Sequence, residues 1–329
     1  MAADTSPTDH DWMAATARLA QRARPLSRPN PGVAALVVQQ GRVIGRGWTQ
    51  PGGRPHAEAE ALAGLSPATL GDAALYVTLE PCAHQSERGP ACADLIVAAK
   101  PARVVIGQID PDPRTAGSGI ARLEAAGIPT RVLEDPSSAA SLAGFLTRQT
   151  KARPWVTLKL AMSLDGCIAL ADGTSQWITG DVARAHVHAR RAQHDAILVG
   201  GGTWRADAPR LDVRLPGLEH RSPQRVVLTR SAALAECVTT IAAPGQIAHL
   251  DGVQYLYVEG GAETAAAFLA ADLVDELHLY TAPILIGDGR RSLGALGLAN
   301  LSDAHDRWQI TECRQLGRDS FTAYWRSRV

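Results

Sequence analysis

Apolar residues recur at helical spacing from Asp11 to Arg24. The chain then breaks on PLSRPNP, whose prolines neither continue a helix nor pair inside a sheet. VAALVV (33–38), a QQG turn and RVIGRGW (42–48) predict a hairpin. HAEAEALAGL predicts a helix, AALYVTLE (73–80) a buried strand, and ACADLIVAAK (91–100) a further helix. ARVVIGQID (102–110), GSGIARLEAAG (117–127) and IPTRVLE follow as strand, helix and strand, before a helix at 137–149. Strands alternating with helices after an opening hairpin predict an α/β sandwich around a parallel or mixed sheet.

TKARPW, basic and proline-bearing, marks the boundary between a first domain at 1–149 and a second at 150–329. The second half restarts with the strand WVTLKLAMS (155–163) and a turn at Asp165–Gly166, then a helix over 181–193 and the strand DAILVGG (195–201). RVVLTR (225–230), YLYVEGG (255–261), ELHLYTAPILIG (276–287) and FTAYWR (321–326) supply later strands, and AETAAAFLAA a helix. This half is α/β as well, with no internal repeat.

At 329 residues the chain has room for two ordinary domains, each with its own core. Lys plus Arg balances Asp plus Glu at 33 each, so electrostatics point to neither nucleic acid nor a membrane surface. Only Lys100, Lys151 and Lys159 of these bases are lysines, and the arginine excess reads as codon bias rather than a phosphate-binding patch. The N-terminal stretch lacks the basic and apolar regions of a secretory signal, and no apolar run is long enough to span a bilayer. Five cysteines, an odd number without paired spacing, predict a reducing, cytoplasmic setting in which clustered cysteines are metal ligands first.

HAEAEAL (56–62) holds a histidine two residues before a glutamate, which alone is no more than the charged first turn of a surface helix. LEPCAHQSERGPAC (79–92) adds Cys82 in the turn leaving a strand and Cys92 at the start of a helix. Helix N-termini stabilise thiolates through their dipole and free N–H groups. One histidine and two thiolates leave zinc an open fourth position for water, which the metal acidifies. A carboxylate alongside, Glu58, can then move the protons. Residues two apart on a helix point about 200° from each other, so His56 must sit at the helix entry with the ion off its N-terminus. H-x-E followed by P-C…C is a zinc-deaminase signature, and the nucleobase enzymes keep two residues between the cysteines. Here nine intervene. A closed structural site would need a fourth protein ligand, for which His84 is the candidate.

NP…HAE…TLEPC, a long insert and a final P-x-C resemble the deaminase half of the bifunctional riboflavin-biosynthesis deaminase/reductase family. The insert departs from the family's usual eight residues by one. DPDP (110–113) stands where DPNP is usual, with Asp112 for Asn, and Ala34 and Ala35 replace Gly and Cys in NPGVAALVV. The resemblance implies an N-terminal cytidine-deaminase-like three-layer α/β/α domain. It would remove an amine hydrolytically from 2,5-diamino-6-ribosylamino-pyrimidinone 5′-phosphate, with His56, Cys82 and Cys92 on Zn2+ and Glu58 protonating the departing ammonia. Asn30, His84, Asp110 and Asp112 fall on positions lining the substrate, with His84 and Arg88 in reach of its phosphate. Asp110 and Asp112, each ahead of a proline, suit plain turn formation equally.

The second half has no metal motif and no GxGxxG. VGGGTWRA and AGSGIARL both lack the third glycine, so a dinucleotide would not bind in the Rossmann manner. VEGGAET (258–264) leads a strand through two glycines into a helix whose first N–H groups suit a phosphate, although a tight strand–helix turn needs the same glycines. Arg190, Arg191, Arg205, Arg210 and Arg214 offer guanidinium forks. LKLAMSLDG (158–166), SQWITG (175–180), RRAQHDAILVGGGT (190–203), ADAPRLDVR (206–214) and VEGG (258–261) follow, in order, the reductase half of the same family. This implies a C-terminal dihydrofolate-reductase-like α/β domain that uses NADPH. Its cofactor contacts fall on Met162, Trp177, Thr203, Asp207 and the loop of Gly261, Ala262, Glu263, Thr264, Ala265, Ala266 and Ala267. Substrate contacts fall on Ser175, Arg191, Leu211, Arg214 and Glu259. Lys159 reads either as the group polarising the ribosyl carbonyl or as a strand-edge lysine. RVVLTR departs from the family's RVVxDS at Thr229 and Arg230, leaving a cofactor contact there open.

The expectation is therefore an enzyme of small-molecule pyrimidine ribosyl phosphates, using neither nucleic acid nor membrane. Its assembly stays open between homodimer and homotetramer. The alternative is a nucleic-acid or nucleoside deaminase with a non-catalytic C-terminal domain, against which the neutral charge and long cysteine insert count.

Overall fold

Thr8 opens the first helix of the computed structural model. Its side chain accepts the Asp11 N–H while the Asp11 carboxylate accepts the Thr8 N–H, a reciprocal cap. The cap starts α1 (Asp9–Ala20) two residues ahead of the apolar periodicity. Residues 6–84, 88–231 and 238–328 are described. The chain divides into two compact units, Met1–Ala152 and Arg153–Val329.

In the first unit, β1 (Ala34–Gln39) and β2 (Arg42–Trp48) form the expected hairpin, turning on Gln40 and Gly41, both at positive φ. α2 (Ala57–Leu62), α3 (Pro67–Leu70) and β3 (Ala74–Val77) follow. Next come α4 (Cys92–Ala99), β4 (Arg103–Ile106), α5 (Ser118–Ala125) and β5 (Thr130–Val132). The single helix expected at 137–149 is two, α6 (Pro136–Ser141) and α7 (Ala143–Lys151). Leu142, at φ −100° and ψ 5°, leaves helical geometry between them. The sheet runs β2-β1-β3-β4-β5, with β3, β4 and β5 parallel and the hairpin antiparallel.

Both sheet faces are covered, so β3 reads as an unbroken apolar run. Ala35, Val37, Leu75, Val77 and Ile106 pack with Ala57 and Ala61 of α2, Ile96 of α4 and Leu123 of α5. On the other face Leu36, Val38, Tyr76 and Val105 meet Met13 of α1. Two glycines seat α2 directly on β2. A Cβ at Gly45 would lie 2.2 Å from the Ala61 carbonyl oxygen, and one at Gly47 2.2 Å from that of Ala57. This contact sets the depth of the helix that carries His56 and Glu58.

The second unit begins with β6 (Trp155–Ser163), β7 (Cys167–Leu170), α8 (Asp181–Arg191), β8 (Ala196–Gly200) and α9 (Gly201–Asp207). β9 (Gln224–Leu228), β10 (Thr239–Ile241), β11 (Tyr255–Val258) and α10 (Ala262–Ala270) come next. β12 (Glu276–Ala282), β13 (Gly289–Arg291), β14 (Trp308–Leu316) and β15 (Asp319–Arg326) close the unit. Eight strands form one sheet in the order β10-β9-β8-β11-β6-β12-β15-β14, parallel through β12 and antiparallel beyond it, while β7 and β13 pair separately. The strand expected at 276–287 stops at Ala282, because Pro283 has no N–H to donate to a ladder. No helix among the described residues is long and apolar enough to cross a membrane.

Candidate active sites

His56 is the N-cap of α2, in extended backbone at φ −74° and ψ 163°, and Glu58 lies in the first turn. Leaving the helix at its entry lets the imidazole and the carboxylate address one point despite their spacing. Cys82 sits past the end of β3, and Cys92 is the first residue of α4. His56 Nδ1 is 3.2 Å from Cys92 Sγ and 3.7 Å from Cys82 Sγ. All three ligand atoms lie within 4.8 Å of one another, the one such group among the described residues. Tetrahedral zinc with ordinary Zn–S and Zn–N bonds separates its ligands by about 3.5–3.8 Å, so the donor set fits that ion. Hydrogen bonding from Cys92 pushes the Cys82 thiol down to about 4, while the same bond pushes Cys92 up. The pair therefore readily carries a thiolate.

Glu58 is only 3 % exposed. Burial raises its carboxyl above the ordinary value, with the His56 charge opposing, as suits a group that must hold and release protons. His56, Cys82 and Glu58 line a cavity of about 370 Å³ shared with Asn30, His84, Arg88, Asp110 and Asp112. All four expected substrate residues are thus brought to one cavity. Gly53, at φ +86°, makes room for Asn30, since a Cβ there would fall 1.5 Å from the Asn30 amide nitrogen. Asp110 is buried and accepts the Asp112 N–H at 2.9 Å; burial lifts its carboxyl to about 6. The Asp112 carboxylate is instead lowered by its bonds to the Arg114 guanidinium. His84 Nδ1 lies 3.4 Å from Thr115 Oγ1.

Glu80 went unnoticed in the sequence, although it stands two residues before Cys82. Buried at 3 % exposure, it accepts backbone N–H groups from Gly117 (3.0 Å), Gly119 (2.9 Å), Ile120 (3.3 Å) and Asp110 (3.4 Å). It ties the loop of Asp110 and Asp112 to the segment that carries Cys82. A carboxylate ahead of Pro-Cys at a strand end was the available signal.

In the second unit, Lys159 on β6 pairs in register with His278 of β12, and its Nζ lies 3.6 Å from Glu259 Oε2. Arg191, at the end of α8, holds Glu259 in a fork, Nε–Oε1 2.6 Å and Nη2–Oε2 3.0 Å, and donates to the Asp212 carbonyl at 2.9 Å. Burial alone would raise Glu259, but Arg191 and then Lys159 outweigh it and hold the carboxyl at about 2. Leu211, buried at φ 55°, and Arg214 flank Asp212, and Arg214 donates its N–H to His188 Nδ1 at 3.2 Å. Lys159, Arg191 and Glu259 are therefore one cluster, with Leu211 and Arg214 at its border.

The cofactor residues divide. Gly261 caps α10, and a Cβ on it would come within 3.7 Å of Thr203 Oγ1 on α9. Cβ atoms at Gly200 and Gly260 would fall 2.3–2.4 Å from Thr264, so these glycines let the Thr264 side chain pack on bare backbone. Beside them the first N–H groups of α10, which have no intrahelical acceptors, form a cradle that suits a dinucleotide's phosphates. Ala262, Glu263, Thr264, Ala265, Ala266 and Ala267 form the first turns of α10; Ala265 and Ala266 are buried, Ala265 in the apolar core, and only Glu263 is exposed. Met162 is half-buried on β6. Ser175, Trp177 and Asp207 are exposed, and no hydrogen bond or ion pair among the described residues ties them to the Lys159 cluster. Thr229 Oγ1 lies 2.9 Å from where a Gly201 Cβ would be, so this departure borders the same cradle.

Residues 154–322 match the RibD C-terminal domain, and residues 6–108 the zinc-binding region of cytidine and deoxycytidylate deaminases. The riboflavin biosynthesis protein RibD of Escherichia coli K12 is 38% identical over 94% of this chain and 97% of its own. That of Corynebacterium ammoniagenes is 40% identical over 81% and 83%. Among solved structures, Acinetobacter baumannii RibD (form 1) aligns with a TM-score of 0.84 at 32% identity, covering 97% of this chain and 99% of that one. The Thermotoga maritima diaminohydroxyphosphoribosylaminopyrimidine deaminase/5-amino-6-(5-phosphoribosylamino)uracil reductase gives 0.80 at 27% identity, over 97% and 100%. The expected folds are borne out, a cytidine-deaminase-like first domain and a dihydrofolate-reductase-like second.

Proposed function

The chain belongs to the RibD family of riboflavin biosynthesis, and from that premise we propose how its residues divide the two reactions. It is a bifunctional enzyme, a zinc-dependent deaminase and an NADPH-dependent reductase acting on a small pyrimidine derivative. We assign deamination to residues 1–149 and reduction to 150–329. A nucleic-acid deaminase with an inert second domain is not favoured.

The observation that carries the first assignment is the convergence of His56, Cys82 and Cys92 beside buried Glu58. His56, Cys82 and Cys92 would hold the zinc, which would supply a water acidified to a nucleophile near neutral pH. Glu58, buried beside the triad, would take the proton from that water and pass it to the leaving amine. Asn30, Asp110 and Asp112 hold the ring, and His84 and Arg88 hold the ribosyl phosphate. In the second reaction NADPH supplies the hydride. Lys159 polarises the ribosyl carbonyl, and Glu259, locked by Arg191, keeps the ammonium in place. Ser175, Leu211 and Arg214 receive the sugar phosphate. Met162, Trp177, Thr203, Asp207 and the Gly261–Ala267 loop receive the cofactor.

The neutral charge balance supports an enzyme free of nucleic acid, and the cysteine usage supports a cytoplasmic one. The test supplies 2,5-diamino-6-ribosylamino-pyrimidinone 5′-phosphate with and without NADPH, following ammonia release and NADPH loss separately. Ammonia release without NADPH, and NADPH loss only after it, are expected. NADPH loss that precedes ammonia release would overturn the proposed order and division.

A further inference from the structure

Asp319 opens β15 with its side chain wholly buried. Oδ2 accepts the Gly180 N–H at 2.7 Å, whereas Oδ1, 3.8 Å from Arg318 Nε, has no hydrogen-bond partner. Burying a carboxylate is costly unless it is paired and hydrogen-bonded, so a half-satisfied one calls for a reason beyond packing. Its partner gives one. Gly180 is the N-cap of α8 and has no side chain with which to complete the helix start. A carboxylate from 139 residues away instead accepts the N–H of the N-cap residue itself, where the positive end of the helix dipole favours it. The approach is close from both sides: a Cβ on Gly180 would lie 3.4 Å from Oδ2, and one on Gly317, in the β14–β15 turn, 3.4 Å from Val182 Cγ2.

Gly180 ends the segment SQWITG (175–180), whose Ser175 and Trp177 are exposed. Within it the Thr179 carbonyl accepts from Arg184, and the Arg184 guanidinium lies 4.6 Å over the Trp177 ring. The segment is thus held by α8 on one side and by a single hydrogen bond from the sheet on the other.

We propose that Asp319 is a positioning residue of the reduction: through Gly180 it fixes the 175–180 segment and so the pose in which Trp177 meets the pyridine nucleotide. This rests on reading Trp177 as a cofactor contact. The test measures NADPH affinity of the full-length zinc-loaded enzyme by calorimetry, and KM and kcat of the reduction, in Asp319→Ala, Asp319→Asn, Gly180→Pro and Trp177→Ala. Asp319→Ala loses a hydrogen bond to a charged group, and NADPH Kd and KM should rise about tenfold while kcat stays within about threefold. Asp319→Asn, which keeps an acceptor for Gly180, should recover most of the affinity. Gly180→Pro removes the donor at a φ of −78° that proline can adopt, and should match Asp319→Ala even where that variant fails to fold. Ammonia release should be unchanged throughout. Wild-type affinity in Asp319→Ala and Gly180→Pro, with Trp177→Ala weakened, would overturn the role of Asp319 alone. Wild-type affinity in all of them would overturn the reading of Trp177. A lowered melting temperature with unaltered NADPH affinity would reduce Asp319 to a structural tie.

Discussion

Cys92 donates its backbone N–H to Cys82 Sγ at 3.3 Å. One ligand sulfur is thus solvated by the very helix start that presents the other, and the two cannot be displaced independently. Cys92→Ser should therefore lose bound zinc and ammonia release together, by roughly 10² or more, since losing even a partner of a ligand costs about 10–100-fold. Reduction of the already deaminated substrate should persist. Metal analysis alongside the two separate assays checks this, and zinc retained at wild-type stoichiometry would remove Cys92 from the ligand set.

Glu58 lies next to the triad without being needed to bind the ion. Glu58→Gln should keep its zinc and lose deamination by about 10²–10⁴-fold, the usual contribution of a positioned acid–base group. Full ammonia release in the variant would exclude the residue from the mechanism.

Glu80 holds four backbone N–H groups around the Asp110 loop. Removing the carboxylate strands those donors, each costing about 1–3 kcal/mol when unsatisfied. Glu80→Ala should lower the melting temperature and raise the deaminase KM while leaving the reductase constants alone. An unchanged KM would confine Glu80 to stability.

Arg214 is half-exposed beside His188 and Asp212. Arg214→Ala should raise the reductase KM for the sugar phosphate about tenfold or more, the loss expected for a charge-assisted bond, with little change in kcat. A wild-type KM would remove it from phosphate binding.

His186 packs against Tyr280 and Phe321, its Nδ1 2.9 Å from the Tyr280 hydroxyl. Burial, reinforced by the Arg190 charge, depresses it from 6.5 to about 4. Between those values the unfolded chain takes up a proton that the folded imidazole refuses, so stability falls as pH drops from 6.5 toward 4. Above 6.5 both states are neutral at this site and it contributes no slope. Melting curves at stepped pH should show less of this slope in His186→Gln. An identical slope would assign it to other groups.

The candidate metal ligands were legible because thiolates and imidazole in a short H-x-E…C…C span have few structural uses, and because strand–turn–helix punctuation brackets them. The order of reductase blocks was legible too, and with it the Lys159, Arg191 and Glu259 positions. Their mutual pairing was not, since Arg191 and Glu259 are 68 residues apart and meet only through the parallel sheet. β14 was missed for a different reason. It is an edge strand with all but Leu316 exposed or half-exposed, so no apolar alternation marks it. The helix break at Leu142 has no glycine or proline at that position to announce it, whereas Pro283 marks the end of β12.

The bare backbone of Gly45 and Gly47 has a consequence for how the enzyme can vary. A methyl group must lift the helix, at its entry for Gly47 and at its last turn for Gly45, and so shift the imidazole relative to the two sulfurs. Zinc retention should thereby depend in part on positions devoid of chemistry, and alanine at either should leach metal from a chain whose candidate ligands are all intact.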